Sequence, residues 1–346
     1  MSLKNRLTRQ SNVVDLTQRR LERDLMNAYA DSLKTVQAKV ADFWRKYSDD
    51  AGKMTMAEVS RYNRLANLEK EIVKEMGKLS SKQNLTTTKT IKNVYEESFY
   101  RTAFVVDNEV RRQFEARLQF SQLPTKQVEA AVLNPYDRIT WPERSKRGIQ
   151  QATRRVKEEV TRGIIQGKGY VETSRSLKDV YDKTASEALR IVQTESHRAR
   201  EAGRWDAFQD AEEQGLLLRY YWVSSLDDRT RDMHADMDGR EAEEAVDPKD
   251  GEEKVTFVLP DGAVGVPGNT GEAHHDINCR CGTRSEMADF KPEVRRERLS
   301  DAEYQRRKAE EQAAAKAAGR DPQPIPRGEI KPYRSYHEWA HDNGIE

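Results

Sequence analysis

Tyr221-Trp222-Val223-Ser224-Ser225-Leu226-Asp227-Asp228-Arg229-Thr230-Arg231-Asp232-Met233-His234 and, further on, His274-His275-Asp276-Ile277-Asn278-Cys279-Arg280-Cys281-Gly282 are the stretches from which the rest of the chain is best read. The first follows Leu216 to Ser224, a run rich in aromatic and aliphatic residues that predicts a strand. The polar run after it predicts a turn in which Asp227 acts as a cap, and Met237-Asp238-Gly239 marks another turn. Val255 to Leu259 predicts a second strand, with Asp-Gly and Pro-Gly pairs around it. Residues 216–290 therefore read as a small α/β module containing a hairpin.

Two chemistries compete for this module. Zinc prefers cysteine sulfur and histidine nitrogen, so His234, Cys279 and Cys281 can supply three ligands of a structural site. His275, His274 or Asp227 is the expected fourth. Against this, Cys-x-Cys is not a standard finger spacing, and two small buried thiols beside surface imidazoles explain the same residues. The alternative is enzymatic: Glu195, Asp227, Asp228 and His234 as an acid/base or nuclease-like cluster. No nucleophile accompanies these carboxylates, and Gly167-Lys168-Gly169 is too short to cradle a phosphate. The plainer expectation is a structural junction, with Asp227 capping its turn and Arg229 or Arg231 pairing with Glu195.

Upstream, the chain reads as helices. Met26, Tyr29, Leu33, Val36, Val40, Phe43 and Tyr47 step by three and four, the pattern of a bundle helix or a short coiled coil. After a break at Ser48 to Gly52, apolar stripes run through Leu65, Leu68, Ile72, Met76 and Leu79, then through Ile91, Tyr95, Phe99, Val106, Val110, Phe114 and Leu118. Pro124 suits the first turn of a short helix, which Asn134-Pro135 ends. Arg144 to Gln166 predicts a helix closed by Gly167 and Gly169. Thr173 or Ser174 is a candidate cap for the next helix, and Thr184 to Glu187 has capping-box spacing for a long one ending near Gly215. Beyond Glu286 come an Ala/Glu/Lys stretch, a Pro-rich linker from Asp321, and Tyr333 to Ala340 as a short docking helix.

Composition limits the function. The 346 residues are 34% charged and 36% hydrophobic, a polar balance that favours exposed helices over one large core. Net charge is +1, so a globally basic nucleic-acid binder is not indicated. Charge is local instead: from Arg144 to Lys178 ten basic residues face three acidic ones. Within that segment Arg147, Arg154, Arg155 and Lys157 are candidates to touch double-stranded DNA or an acidic protein surface, with a solvated helix face as the plain alternative. Two cysteines provide no disulfide framework, and no run approaches a membrane span. A secretory leader is not expected from the polar start of the chain.

The order of parts resembles the phage head morphogenesis family, the Mu F-like minor head proteins. A strand leads into Asp-x-x-Thr-Arg-x-x-His and a Gly turn; a variable hairpin and Asn278-Cys279-Arg280-Cys281 follow. The preceding helix carries Ile191-Val-Gln-Thr194-Glu195-Ser-His-Arg, similar to that family's Arg-Thr-Glu helix. The chain departs from the family where Arg231-x-x-His234 replaces a frequent Cys-x-x-Cys, and where His275-Asp-Ile replaces His-Pro. The resemblance implies a non-enzymatic protein incorporated into the virion during prohead assembly in the host cytoplasm. It would bind the portal protein, contact capsid or scaffold protein, and affect DNA packaging or ejection. The rival expectations are a metal-dependent nuclease or transferase-type effector, and a zinc-stabilised DNA-binding module. The expected fold is mainly α, an elongated helical bundle or coiled-coil region followed by the small module and a charged, extended tail. The expected divisions are 1–140, 141–215, 216–290 and 291–346.

Overall fold

The computed structural model describes residues 3–114, 118–120, 122–133, 140–248, 251–287, 294–299, 301–325 and 328–332. Helices α1 (Leu3–Tyr47), α2 (Met56–Ser60), α3 (Arg64–Phe114), α4 (Thr125–Leu133), α5 (Trp141–Ile165) and α6 (Tyr170–Glu213) precede the first strand. After them come β1 (Leu218–Val223), α7 (Asp232–Asp236), β2 (Glu243–Val246), β3 (Glu253–Thr256), α8 (Ala273–Asp276), β4 (Gly282–Met287), β5 (Val294–Arg298), α9 (Asp301–Ala317) and β6 (Gly328–Pro332). The fold is mainly α, with small antiparallel strand pairs towards the C-terminal end. It forms two compact units, each assembled from non-consecutive stretches.

One unit comprises Leu16–Val94 and Thr125–Ser196. Its core takes Leu25, Tyr29, Val36, Val40 and Phe43 from α1, and Leu68, Ile72, Met76 and Leu79 from α3. From α5 come Ile149, Ala152, Val156 and Val160; from α6, Leu177, Tyr181, Ala185, Ala188 and Val192. The apolar stripe of α1 passes through Leu25 rather than Met26, which is 40% exposed. The buried positions Leu21, Leu25, Tyr29, Ser32, Val36, Val40 and Phe43 keep to the straight-helix period near 3.6 rather than the 3.5 of a coiled-coil seam. A polar layer crosses this core. Tyr29 donates to Gln83 Oε1 at 2.6 Å, Gln83 donates to Ser145 Oγ, and the Ser32 and Tyr181 hydroxyls lie 3.1 Å apart. Burial pushes the Tyr181 hydroxyl up to about 12, so it stays a neutral donor. Satisfied groups of this kind fix helix register, because a slip would leave each of them unpaired.

The helix boundaries correct two expectations. Thr173 and Ser174 lie inside the first turns of α6, and Thr184 lies in its middle, where its hydroxyl bonds back to Val180 O at 2.7 Å. The capping-box spacing at Thr184 to Glu187 is therefore no start: buried Leu177, Tyr181, Ala185 and Ala188 carry the core stripe through it. The end of α5 is as expected, with Gly167 at φ +61° and Lys168 N–H returning to Gly163 O at 2.8 Å.

The other unit comprises Met1–Asp15, Tyr95–Pro124 and His197–Glu346. Val105, Val106 and Val110 of α3 and Phe208 and Ala211 of α6 pack with Tyr220 and Trp222 of β1, Phe257 and Met287. Strand β1 pairs with β4, Trp222 opposite Thr283, and β2 with β3 in a hairpin, with β3 beginning before the expected Val255 and ending at Thr256 rather than Leu259. Strand β4 was not legible, because Gly282-Thr-Arg-Ser-Glu-Met lacks apolar alternation although its residues from Thr283 on are buried. The segment expected as a charged linker contains α9, whose Glu303 pairs with Arg306 and Arg307. Tyr333 to Ala340 and Asn134-Pro135, expected as a docking helix and a helix end, lie outside the described residues.

Candidate functional site

His234, Cys279 and Cys281, separated in sequence, meet in one buried cluster. Three local devices bring them together. Arg231 stands at the N-cap position of α7 and its carbonyl accepts the His234 N–H at 2.9 Å, placing His234 on a helix only five residues long. The Asp238 carboxylate accepts the Ser224 N–H at 2.8 Å and the Ser224 hydroxyl donates to His234 O, tying that helix to the end of β1. On the other side, Asp276 accepts from Thr270 N–H at 3.0 Å and Gly271 N–H at 2.8 Å. Asn278 then turns the chain through a left-handed conformation at φ 59°, one that asparagine tolerates better than most residues. Cys279 and Cys281, two apart in the chain, bring their sulfurs to within 4.8 Å of each other and of a His234 nitrogen.

The polar contacts form a chain. His234 Nδ1 lies 3.5 Å from Cys281 Sγ and 3.8 Å from Cys279 Sγ. Its Nε2 lies 3.1 Å from His275 Nδ1, and His275 Nε2 lies 2.9 Å from Asp261 Oδ2. His274 reaches the same carboxylate oxygen at 3.2 Å. Trp222 and Phe257 wall the cluster, Trp222 edge-on to His234 with ring centroids 5.4 Å apart. The bond from the Cys279 thiol, helped by His234 and Ser224, holds the Cys281 thiol well below its usual range. The same bond, together with burial, pushes Cys279 up. Burial lowers His275 against the opposing pull of Asp261, and the bond from His274, with His275 adding to it, brings Asp261 down to about 2.

His275 is thus behind His234 and not among the sulfurs, so it is no fourth ligand as placed. Asp227 is not one either: it pairs with Arg280, one N–O distance being 2.6 Å, and accepts the Arg229 N–H at 3.1 Å as the expected turn cap. The expected partner of Glu195 is also corrected. Glu195, 2% exposed, pairs with Arg144 at 2.5 Å. The guanidinium of Arg231 donates instead to the carbonyls of His275 and Ile277 at 3.3 and 2.6 Å, where it braces the loop before Cys279. Asp228 is exposed and His234 faces sulfurs and an imidazole, so the acid/base cluster does not assemble around His234.

Of the basic candidates on α5, Arg147 pairs with Glu143, Arg154 with Glu158, and Lys157 with Glu69 of α3. Arg155 is half-buried. Arg154 and Lys157 border a groove of about 670 Å³ that also exposes Val73 and Ile165.

Sequence reading missed Asp261, Glu201 and Arg204. Glu201, 2% exposed, accepts the Thr283 N–H at 2.9 Å and pairs with Arg204, which donates to Thr283 O at 3.1 Å. This network fastens α6 to β4. The Asp261-Gly262 turn was visible, but its reach to residues 274 and 275 was not, because nothing local encodes it.

Residues 154–284, which span this helix, strand pair and cluster, match the family described as Phage Mu protein F like protein. The Minor head protein GP7 of Bacillus phage SPP1 is 27% identical over 292 residues, covering 84% of this chain and 88% of that protein. Over residues 154–284 the chain is similar to the Mu F-like family of phage proteins. A second relative, the NAD(+)--arginine ADP-ribosyltransferase EFV of Enterococcus faecalis, is 28% identical over 145 residues. That match covers 42% of this chain but only 28% of the enzyme. An uncharacterized protein of Haemophilus influenzae matches over 37% of this chain and 23% of its own length. No solved structure matches. Among the described residues no helix is long and apolar enough to cross a membrane.

Proposed function

We propose that this Mu F-like chain is a minor head protein of a tailed phage, built into the virion during prohead assembly in the host cytoplasm. The observation that carries this reading is similarity to a minor head protein along nearly the full length of both chains. Its partners are phage structural proteins, first of all the portal, with capsid or scaffold protein as secondary contacts and an effect on packaging or ejection. The role is structural and non-enzymatic. The match to a transferase covers a minor part of that enzyme, and Asp227 and His234 are already engaged in a capped turn and a buried cluster.

The basic face of α5 serves protein docking more than DNA contact. Its charges at Arg147, Arg154 and Lys157 are already balanced by carboxylates, and apolar Val73 and Ile165 lie open in the adjoining groove. A phosphate track relies on unbalanced cations, whose counterion release makes binding steeply salt-dependent. Co-expression with the portal encoded by the same phage tests the reading. A complex that survives size exclusion is expected, and separate elution at micromolar concentration contradicts portal binding.

A further inference from the structure

The buried cluster has the dimensions of a metal site. In a tetrahedral zinc centre with Zn–S near 2.3 Å and Zn–N near 2.05 Å, the N···S edge is about 3.6 Å and the S···S edge about 3.8 Å. The two N···S distances here, 3.5 and 3.8 Å, bracket that edge, and all three ligand atoms lie within 4.8 Å of one another.

Proton accounting points the same way. The Asp261 carboxylate can only accept, so His275 carries its proton on Nε2 and leaves Nδ1 bare. That bare nitrogen accepts from His234 Nε2–H. The remaining lone pair of His234, on Nδ1, therefore points between the two sulfurs. A carboxylate backing an imidazole is the usual means of orienting a metal-binding histidine; here a second imidazole extends it. Arg280, between the cysteines in sequence, is held by Asp227, so its cation is paired rather than lodged among the sulfurs.

We propose that His234, Cys279 and Cys281 hold one zinc ion, with His275 and Asp261 as positioning residues and the fourth coordination position left to solvent. Two thiolates and an imidazole suit zinc over the hard, oxygen-seeking cations. The ion would cross-link α7 to the run entering β4, a closure of 45 to 47 residues. This inference is independent of portal binding.

The test uses the full-length chain purified without chelator. Elemental analysis should find about one zinc per chain. Cobalt substitution should give a thiolate-to-metal charge-transfer band and the strong visible absorption of a tetrahedral centre. Cys279→Ser should lower zinc to below roughly a tenth of an equivalent. His275→Ala, which touches no ligand sulfur and guards against a variant that fails to fold, should keep the metal but weaken it about 10- to 100-fold in chelator competition. A wild-type chain that is metal-free and takes up no zinc on titration overturns the proposal. So does a Cys279→Ser chain that retains a full equivalent.

Discussion

Among the described glycines of the unit that carries the strand pairs, Gly203 has the closest approach. A Cβ placed there would lie 2.4 Å from the Tyr95 carbonyl oxygen of α3. Ordinary contact needs about 3.4 Å, so Gly203→Ala requires α6 and α3 to part by about 1 Å, and the obstacle is backbone that no rotamer change can move. Two hydrogen bonds span the same contact: Ser98 Oγ to Arg200 O at 2.7 Å, and the Tyr95 hydroxyl to Asp206. Stretching both forfeits about 1 kcal/mol each, and overpacking adds about 1–3 kcal/mol. The expected loss is about 3–5 kcal/mol, roughly 6–20 °C in Tm for a unit of this size. The controls are Gly77→Ala on α3 and Gly148→Ala on α5, where nothing lies within 4 Å of the added carbon. Each should be neutral or stabilise by up to about 1 kcal/mol through helix propensity. Calorimetry or thermal circular dichroism reads all three, and a Gly203→Ala protein that melts with the wild type would refute the close approach of α3 and α6.

Other substitutions test other parts. Trp222→Ala empties a fully buried site between Phe257 and His234 and should cost about 3–5 kcal/mol by urea unfolding. Arg144→Ala leaves the buried Glu195 carboxylate without this cation; because Arg144 is itself one-third exposed, the expected cost is about 1–3 kcal/mol, with partial rescue by lysine. Burial, then Arg200 and Arg204, with Arg280 beyond them, hold His197 well below the usual imidazole range, against a weaker opposing bond at the Cys281 backbone. The unfolded chain therefore takes up a proton below about pH 6.5 that the folded chain refuses. Its contribution to stability is full above that pH and falls by up to about 1.4 kcal/mol per pH unit as pH drops towards the folded value, and His197→Leu should flatten this acid limb. Replacing Arg147, Arg154, Arg155 and Lys157 together by Gln should weaken portal association while leaving DNA retention at physiological salt nearly unchanged; the opposite pattern would return α5 to the DNA side.

The helices were legible because their burial is periodic: Val36, Val40, Ile72, Met76, Val156 and Val160 recur at helical spacing in the sequence and are buried in the structure. Their ends were less legible. Thr184 has the spacing of a cap, yet local capping preference is worth about 1 kcal/mol and loses to a continuous apolar face. The clustering of His234, Cys279 and Cys281 was legible because cysteine and histidine are few, with two and six in the chain. The partners around it were not. That Glu195 meets Arg144, that Arg231 meets two carbonyls, and that Asp261 backs His275 are tertiary facts set by packing of distant segments. Strand β4 escaped for a related reason: its polar residues are buried by a charge network around Glu201 and Arg204, which no alternation in sequence announces.

The most direct test of the central claim is quantitative mass spectrometry of purified virions of the phage that encodes this chain, compared with its portal and major capsid protein. A minor head protein should be present in DNA-filled heads at a copy number of the order of the portal's and far below the capsid protein's, and should remain after the tails are removed. Its absence from the particles, with the chain abundant in the infected lysate, would contradict the account.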